Sequence, residues 1–104
     1  MTFTLNAPLF DFLVLSVIHQ SDTYGYEISQ TVKKVSDTKD STLYPVLKRL
    51  QDQGLVTTYN QEFQGRNRKY YSITETGRDR CREMSAEWKA FISLIDEITG
   101  GEKS

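Results

Sequence analysis

The chain has 104 residues, with 13 Lys and Arg residues against 14 Asp and Glu residues, and it contains one cysteine and one histidine. A chain of this length forms one domain. The single cysteine excludes an internal disulfide framework and is typical of a reducing compartment, so we expect a cytoplasmic protein. The apolar run Leu9–Ile18 contains Asp11 and is about half the ~20 residues that a membrane span needs. We therefore do not expect a membrane protein.

The sequence contains none of the catalytic or cofactor-binding motifs that are typical of common enzymes. One histidine and one cysteine cannot complete a usual zinc site, and there is no glycine-rich phosphate loop. His19 ends the apolar run and is expected to be a cap or a surface residue. Cys81 is more typical of a core thiol than of a redox switch. The sequence therefore predicts neither catalysis nor a cofactor nor a metal site.

Positive charge is concentrated in one part of the chain. Between Ser41 and Arg78 there are six Lys and Arg residues against three Asp and Glu residues, a net charge of +3, whereas the rest of the chain carries −4. A local excess of positive charge is the electrostatic footprint of a nucleic-acid surface, although a solvated surface can also show such a fluctuation by chance.

The first part of the chain predicts two helices. Pro8 suits a first helical turn with Asn6 as its cap, and Leu9–Ile18 is apolar nearly all round, as in a helix that is covered on several sides. A second helix is expected from Tyr24 to Val35, and Ser21-Asp22-Thr23 offers its cap. The apolar positions of this second helix at helical spacing are Ile28, Val32 and Val35.

A third, amphipathic helix is predicted from Ser41 to Gln53, with Gly54 as its stop. Asp40, Ser41 or Thr42 can provide its cap, and Pro45 near the start predicts a tightened first turn. Its apolar face consists of Leu43, Val46, Leu47 and Leu50. Its outer face consists of Ser41, Tyr44, Pro45, Lys48 and Asp52, with Thr42 and Arg49 at the flanks.

A β-hairpin with a cationic tip is predicted to follow this helix. Leu55–Phe63 and Arg68–Thr74 are rich in β-branched and aromatic residues, and the segment 64–67 between them supplies turn residues. At least one of Tyr70 and Tyr71 should pack under the hairpin as core. The predicted fold class is therefore mainly α with a small β-hairpin, arranged as a winged helix-turn-helix.

A long fourth helix is predicted after a cap at Thr74 or Thr76, running to about Thr99, where glycines end it. Apolar residues recur in it at alternating spacings of three and four, the pattern of a heptad seam: Cys81, Met84, Trp88, Phe91, Ile95 and Ile98. At ~1.5 Å per residue this helix is nearly 40 Å long. The seam could pack on its own domain or on a second copy of the chain, and we favour the second copy, with supplementary contacts from the first helix.

The predicted organisation is a winged domain over residues 1–76, a dimerisation helix over 77–99 and a flexible tail over 100–104.

These elements resemble the PadR family of transcriptional regulators, in particular its short subgroup. The resemblance rests on Tyr24-Gly25-Tyr26-Glu27-Ile28, Thr42-Leu43-Tyr44-Pro45, Gly54-Leu55-Val56, the run from Gly65 to Gly77, and Glu87-Trp88. It implies a homodimeric repressor whose C-terminal helices cross between subunits. It also implies that flat aromatic or cationic compounds bind near a tryptophan at the dimer interface.

The winged arrangement assigns a role to each candidate site residue. Those predicted to approach base edges and the sugar-phosphate rim of double-stranded DNA are Ser41, Thr42 and Tyr44, and those predicted to contact phosphates are Lys48 and Arg49. The wing cations predicted to follow the DNA backbone or enter a minor groove are Arg66, Arg68 and Lys69. The predicted dimer interface or effector site consists of Trp88, Met84, Phe91, Ile95 and Ile98, with Asp11, Glu87 or Asp96 as charge partners for a cationic ligand. Two further alternatives stay open: Trp88 as a simple interface anchor, and a winged helix that binds proteins without specific DNA binding.

Overall fold

The computed structural model of the chain describes residues 6–100. Its helices and strands follow in the order α1 (Ala7–Gln20), β1 (Thr23–Tyr24), α2 (Gly25–Val32), α3 (Asp40–Asp52), β2 (Val56–Phe63), β3 (Arg66–Ile73) and α4 (Glu75–Thr99). The mainly helical fold with a hairpin is thus confirmed. The opening residues and the part of the predicted flexible tail beyond Gly100 lie outside the described residues.

Helix α1 occupies the centre of the molecule. Its start is capped as predicted, because the Leu9 backbone N–H donates to the Asn6 side-chain oxygen at 2.9 Å. Its apolar residues are inaccessible to solvent where α2, α3, α4 and the sheet surround it, and Val14 and Leu15 are 0% exposed. An apolar helix with this much cover organises the rest of the fold around it.

The second predicted helix is shorter than the sequence suggested. Thr23 and Tyr24 form a short strand paired with Tyr71 and Tyr70 of β3, and the strand order is β1-β3-β2. The helix runs only from Gly25 to Val32, and Val35 lies beyond it, 42% exposed. Tyr24 is therefore the N-cap of this helix rather than its first residue, and the predicted end at Val35 was wrong. The backbone of residues 23 and 24 is instead hydrogen-bonded to a strand far along the chain, which local sequence does not reveal.

Helix α3 begins at Asp40, one residue before the predicted start at Ser41. Lys39 is the N-cap and makes no side-chain capping bond, so Asp40 and Ser41 lie inside the first turn. Asp40 accepts instead from the buried Ser29 hydroxyl of α2 at 2.8 Å. The Thr42 N–H donates to the Lys39 carbonyl at 2.9 Å, a three-residue bond that gives the tightened first turn expected from the nearby proline.

The hairpin has a two-residue turn, Gln64-Gly65, with φ values of 54° and 81°. Positive φ at both positions is typical of the tight turn that matches strand twist. Strand β3 therefore begins at Arg66 rather than at the predicted Arg68, and the cations lie along the strand rather than in a loop. The alternation of a strand places Arg66, Arg68 and Tyr70 on the outer face of the sheet. On the inner face Tyr71 is 5% exposed, which confirms that one of the two tyrosines packs as core.

Helix α4 starts inside the packed body and then leaves it. Its predicted cap is present, since the Gly77 N–H donates to the Thr74 hydroxyl at 2.9 Å. Gly77 and Cys81 are buried, and a Cβ at Gly77 would collide with the Leu55 carbonyl oxygen. The helix ends at Thr99, followed by Gly100 at φ 93°. The described residues extend 55 Å along their longest axis.

Candidate nucleic-acid interface

Helix α3 divides into a buried face and an exposed face. The buried face holds Leu43, Val46, Leu47 and Leu50, as predicted from the sequence. The residues predicted to read DNA lie on the exposed face, where Ser41, Thr42 and Tyr44 accompany Lys48. Lys48 lies 3.4 Å from Asp52 one turn later, and both side chains are more than half exposed. Such a surface pair contributes little, so the Lys48 ammonium is available to another anion.

Tyr44 lies across the start of α2. A Cβ built at Gly25 would lie 2.6 Å from the Tyr44 hydroxyl oxygen and 2.8 Å from its Cε1. Gly25 therefore makes room for the phenol ring, which keeps 47% of its surface exposed. The neighbouring Tyr26 is 66% exposed and was not singled out from the sequence. A polar and aromatic rim thus extends from α3 onto the first turn of α2.

Arg49 does not extend into solvent as a free phosphate contact. Its two terminal nitrogens donate to both carboxylate oxygens of Asp11 on α1, at 2.7 and 2.9 Å. These hydrogen bonds to the Asp11 carboxylate raise the pKa of Arg49 above its ordinary value. The side chain of Asp11 is only 16% exposed. The Arg49 side chain, 43% exposed, thus ties α1 to α3, and its predicted phosphate contact stays a prediction. The sequence signal for this tie is Asp11 itself, the one charge in an apolar helix.

The wing, defined here as strands β2 and β3 with their turn, presents its cations differently. Among residues 6–100, no carboxylate lies within ion-pairing distance of Arg66, Arg68 or Lys69. Arg66 is fully on the surface at the turn, opposite Phe63. Lys69 lies on the other face of β3, with its nitrogen 5.5 Å from the centre of the Tyr71 ring. These positive charges are therefore not neutralised by the protein.

A shallow polar concavity of about 540 Å³ lies at the end of the wing. Its lining consists of Phe63, Gln64, Arg66, Asn67 and Arg68. We call it the wing-tip cleft. Two guanidinium groups at its edge, with no carboxylate beside them, give it a positive potential that attracts anions.

The predicted seam on α4 is covered at one end and bare at the other. Cys81 is buried, and Met84 and Trp88 are partly covered. Further along, Phe91 is 52% and Ile98 is 83% exposed. The strip is wider than the predicted seam, because Ile92 and Leu94 flank it and are exposed too. The heptad pattern missed these two residues because they stand beside the seam positions rather than on them.

Trp88 lines a cavity of about 210 Å³ between α4 and the start of α1. The other lining residues are Asn6, Pro8, Leu9, Phe12, Arg80, Met84, Glu87 and Phe91. We call it the tryptophan cavity. The Trp88 and Phe91 ring centres are 6.0 Å apart. Of the three carboxylates predicted as partners for a cationic ligand, only Glu87 lies here, since Asp11 is bonded to Arg49 and Asp96 is outside the lining.

No cluster of three or more His, Cys, Asp or Glu side chains within residues 6–100 has the arrangement of a metal site. None of the helices in that range combines the length and apolar character of a membrane-crossing segment.

Comparison with known proteins identifies the family. Residues 14–83 match the transcriptional regulator PadR-like family. The crystal structure of smu.1704 from Streptococcus mutans is 41% identical, with a TM-score of 0.93 over 100% of this chain and 98% of that one. A PadR family transcription regulator from Clostridium difficile is 34% identical, with a TM-score of 0.76 over 88% and 97% of the two chains.

A more distant neighbour shares the fold. Bacillus subtilis PadR, solved in complex with operator DNA, is 24% identical, with a TM-score of 0.65 over 71% of this chain and 45% of that one. The matches to the family and to its solved members cover most of the described residues, including α3, the wing and the first turns of α4. The chain is therefore a transcriptional regulator rather than an enzyme, and it belongs to the PadR-like family.

Proposed function

We propose that the protein is a cytoplasmic repressor that binds an inverted-repeat operator as a homodimer. The observation that carries this proposal is the pairing of an exposed polar face on α3 with a wing whose cations have no carboxylate partners within residues 6–100. In winged helices with these two features, the helix enters the major groove and the hairpin contacts the flanking DNA backbone. The operator complex of Bacillus subtilis PadR supports the same use of the shared fold.

The bare apolar strip on α4 supports a second copy of the chain as partner. Exposed Phe91, Leu94 and Ile98 form a continuous strip on a helix that projects from the body. Patches of this kind on a small protein mark an association surface. An isologous contact between two α4 helices would place the two α3 helices at related positions, about one DNA turn (~34–36 Å) apart on an inverted repeat.

A matched pair of substitutions tests the homodimer. Ile95→Glu places a charge on the seam, whereas Ser93→Glu places the same charge on the opposite side of α4. We expect sedimentation velocity at micromolar concentration to give a dimer for the wild type and for Ser93→Glu, and a monomer for Ile95→Glu. A wild-type monomer, or equal behaviour of the two variants, would contradict the proposed interface.

The DNA contacts have a measurable salt signature. If each subunit engages about four phosphates through Lys48 and the wing cations, the slope of log affinity against log salt is about −7 for the dimer. Arg66→Ala should flatten that slope by ~2, one contact per subunit, while sequence preference changes little. Arg82→Ala on α4 is the control, because Arg82 is paired with Asp79 on its own helix.

Fluorescence anisotropy with DNA from the protein's own promoter region distinguishes the alternatives. A regulator that recognises an operator should bind this DNA at least ~10³-fold more tightly than scrambled DNA of the same length. A winged helix that serves only protein–protein assembly would bind both DNAs weakly and equally. An unchanged salt slope in Arg66→Ala would remove Arg66 from the contact set while leaving operator binding in place.

We further propose that the tryptophan cavity receives a flat aromatic or cationic effector that releases the operator. A cavity of about 210 Å³ in one subunit is below the ~300 Å³ of a typical ligand pocket, so the partner subunit would complete it. Trp88 offers an aromatic face, which attracts planar rings and cations, and Glu87 supplies a negative charge.

The single tryptophan makes this part testable without a label. Ethidium should quench the Trp88 emission in a saturable way, and Glu87→Gln should weaken its binding, whereas Glu97→Gln, exposed on the same helix, should not. Addition of ethidium should also release operator DNA labelled for anisotropy, with a non-intercalating planar cation as a second probe. Absence of saturable quenching would leave Trp88 as an interface anchor.

A further inference from the structure

The outer face of the sheet holds one arginine between two aromatic rings. The guanidinium carbon of Arg68 lies 4.0 Å from the centre of the Tyr24 ring and 4.2 Å from the centre of the Phe63 ring. Tyr24 belongs to β1 and Phe63 to the end of β2, so the two rings reach Arg68 from different strands. Arg68 is half-buried as a result, whereas its neighbour Arg66 is exposed.

The ring on the Tyr24 side is itself fixed to the body of the domain. Tyr24 meets Tyr70 edge to face with ring centres 5.5 Å apart, and Tyr70 stacks on Tyr59 at the same separation. The Tyr59 hydroxyl donates to Asp22, just before β1, at 2.8 Å. This hydrogen bond raises the pKa of Tyr59, so the phenol stays neutral. The aromatic ladder thus joins all three strands and holds the Tyr24 ring in place.

Contact with two aromatic rings restricts the movement of Arg68 without neutralising its charge. The two ring centres lie at about 4 Å from the guanidinium carbon. Arg68 also lines the wing-tip cleft beside Arg66. Planar N–H donors in a fixed fork match the two oxygens of a phosphate group, and a fork that is already oriented loses less conformational freedom on binding.

We propose that Arg68 is a pre-oriented phosphate-binding fork of the wing, and that Tyr24 and Phe63 are its positioning residues. The ligand in the wing-tip cleft is a backbone phosphate of double-stranded DNA, held by the Arg68 guanidinium and by the exposed charge of Arg66. This assignment rests on the proposed DNA-binding function. It adds that two uncharged aromatic residues, one of them in the short strand β1, control the strength of a phosphate contact that they do not make.

If the contact of Arg68 with Tyr24 and Phe63 served only the stability of the wing, its loss would have a different effect. In that case Arg68 would only fasten the wing to β1, and its loss would lower thermal stability without a specific effect on the phosphate contact. Arg68 lines the cleft and has no carboxylate partner among residues 6–100, which favours the binding role. An arginine that served only as a fastener would need no place in the lining of an electropositive cleft.

The test measures operator affinity by anisotropy at several salt concentrations, with thermal unfolding of every variant at the same protein concentration. Arg68→Lys keeps the charge but not the planar fork, so affinity should fall about tenfold. Arg66→Lys should cause a smaller loss, because Arg66 is not clamped. Phe63→Leu should weaken binding several-fold, and Phe63→Tyr, which preserves a stacking ring, should restore it.

A double-mutant cycle separates positioning from general damage to the wing. In an Arg68→Ala background, Phe63→Leu should cause no further loss of affinity, because the group that it positions is gone. An equal loss in both backgrounds, or wild-type affinity in Arg68→Lys, would overturn the proposal. These outcomes differ from a failure of the DNA-binding function itself, in which the wild type would not distinguish operator from scrambled DNA.

Discussion

Helix α3 and the wing both carry arginines and lysines, but the two regions differ in which of these cations have carboxylate partners. On α3, Arg49 is bonded at both nitrogens to a nearly buried carboxylate, and Asp40 at the helix start is bonded to Ser29. On the wing, the cations have no carboxylate partners within residues 6–100, and the one fixed arginine is fixed by aromatic rings.

In the proposed DNA interface, this difference separates two tasks. A recognition helix must keep its angle to the body, because a small rotation moves every base-facing side chain, and bonds to α1 and α2 resist that rotation. A wing must present charge to a flexible backbone, and any internal carboxylate partner would compete with the phosphate. Aromatic stacking on Arg68 orients the guanidinium without neutralising it. Net positive charge alone therefore does not identify the residues available to DNA.

The largest contrast between α3 and the wing is expected in the free energy of unfolding that is lost when an apolar side chain is truncated. Leu47 on α3 is 0% exposed, so Leu47→Ala should lower the free energy of unfolding by ~2–5 kcal/mol. Phe63 on the wing is 45% exposed, and Phe63→Ala should cost less than ~1 kcal/mol. Urea unfolding at one fixed protein concentration measures both, since the stability of a dimer depends on concentration. Similar losses at the two sites would show that the wing is packed as firmly as α3.

A second contrast concerns the two arginines, Arg49 and Arg66. Removal of Arg49 leaves the mostly covered Asp11 carboxylate without its donor, so Arg49→Ala should cost ~1–3 kcal/mol of stability and leave the salt slope of DNA binding unchanged. Arg66→Ala should do the reverse, with stability within ~0.5 kcal/mol of wild type and a flatter slope.

The pairing of Arg49 with Asp11 can be isolated by a double-mutant cycle. Asp11→Ala combined with Arg49→Ala should be less destabilised than the sum of the single variants, because no unpaired charge remains. Additive losses would show that the bond between α1 and α3 contributes nothing beyond packing, and a flatter salt slope in Arg49→Ala would return Arg49 to the phosphate contacts.

The turn of the wing depends on the left-handed backbone conformation of Gln64 and Gly65. Gly65 has φ 81°, and an added Cβ would meet no atom within 4 Å, so Gly65→Ala tests conformation without a steric clash. The left-handed backbone costs an alanine about 1 kcal/mol. Gly65→Asn is the matched control, because asparagine tolerates this conformation and should cost less. Equal losses for both variants, measured by thermal unfolding, would mean that glycine is needed for another reason.

Most of the fold could be predicted from local signals, and two of the failures share one cause. Asn6, Thr74 and Gly100 mark helix ends through their own side chains or backbone, so sequence alone located them. The strand at Thr23–Tyr24 and the pair Asp11–Arg49 depend on partners 38 or more residues away. No local pattern contains that information.

The sequence predicted only part of the candidate site, because periodicity reports which face of an element is buried but not which distant residues it contacts. The periodicity of α3 correctly separated its buried face from its exposed face, because that separation follows from helix geometry. Periodicity could not show that Arg68 lies between two rings, since one of them belongs to β1, a strand that was not expected. On α4 the heptad pattern located the seam but omitted Ile92 and Leu94, which are exposed beside it.

The smallest effect on stability is expected at Gly25, where α2 meets the rim of α3. In Gly25→Ala the new Cβ would overlap the Tyr44 ring, whose end is exposed and free to swing away, so the stability change should be within ~0.5 kcal/mol. If Tyr44 contributes to DNA recognition from its present position, the displaced ring should reduce operator affinity. Tyr44→Ala should reduce affinity by itself, and Gly25→Ala should then add nothing, because the ring that it displaces is absent. An affinity loss that persists in the Tyr44→Ala background would show instead that the start of α2 contacts the DNA directly.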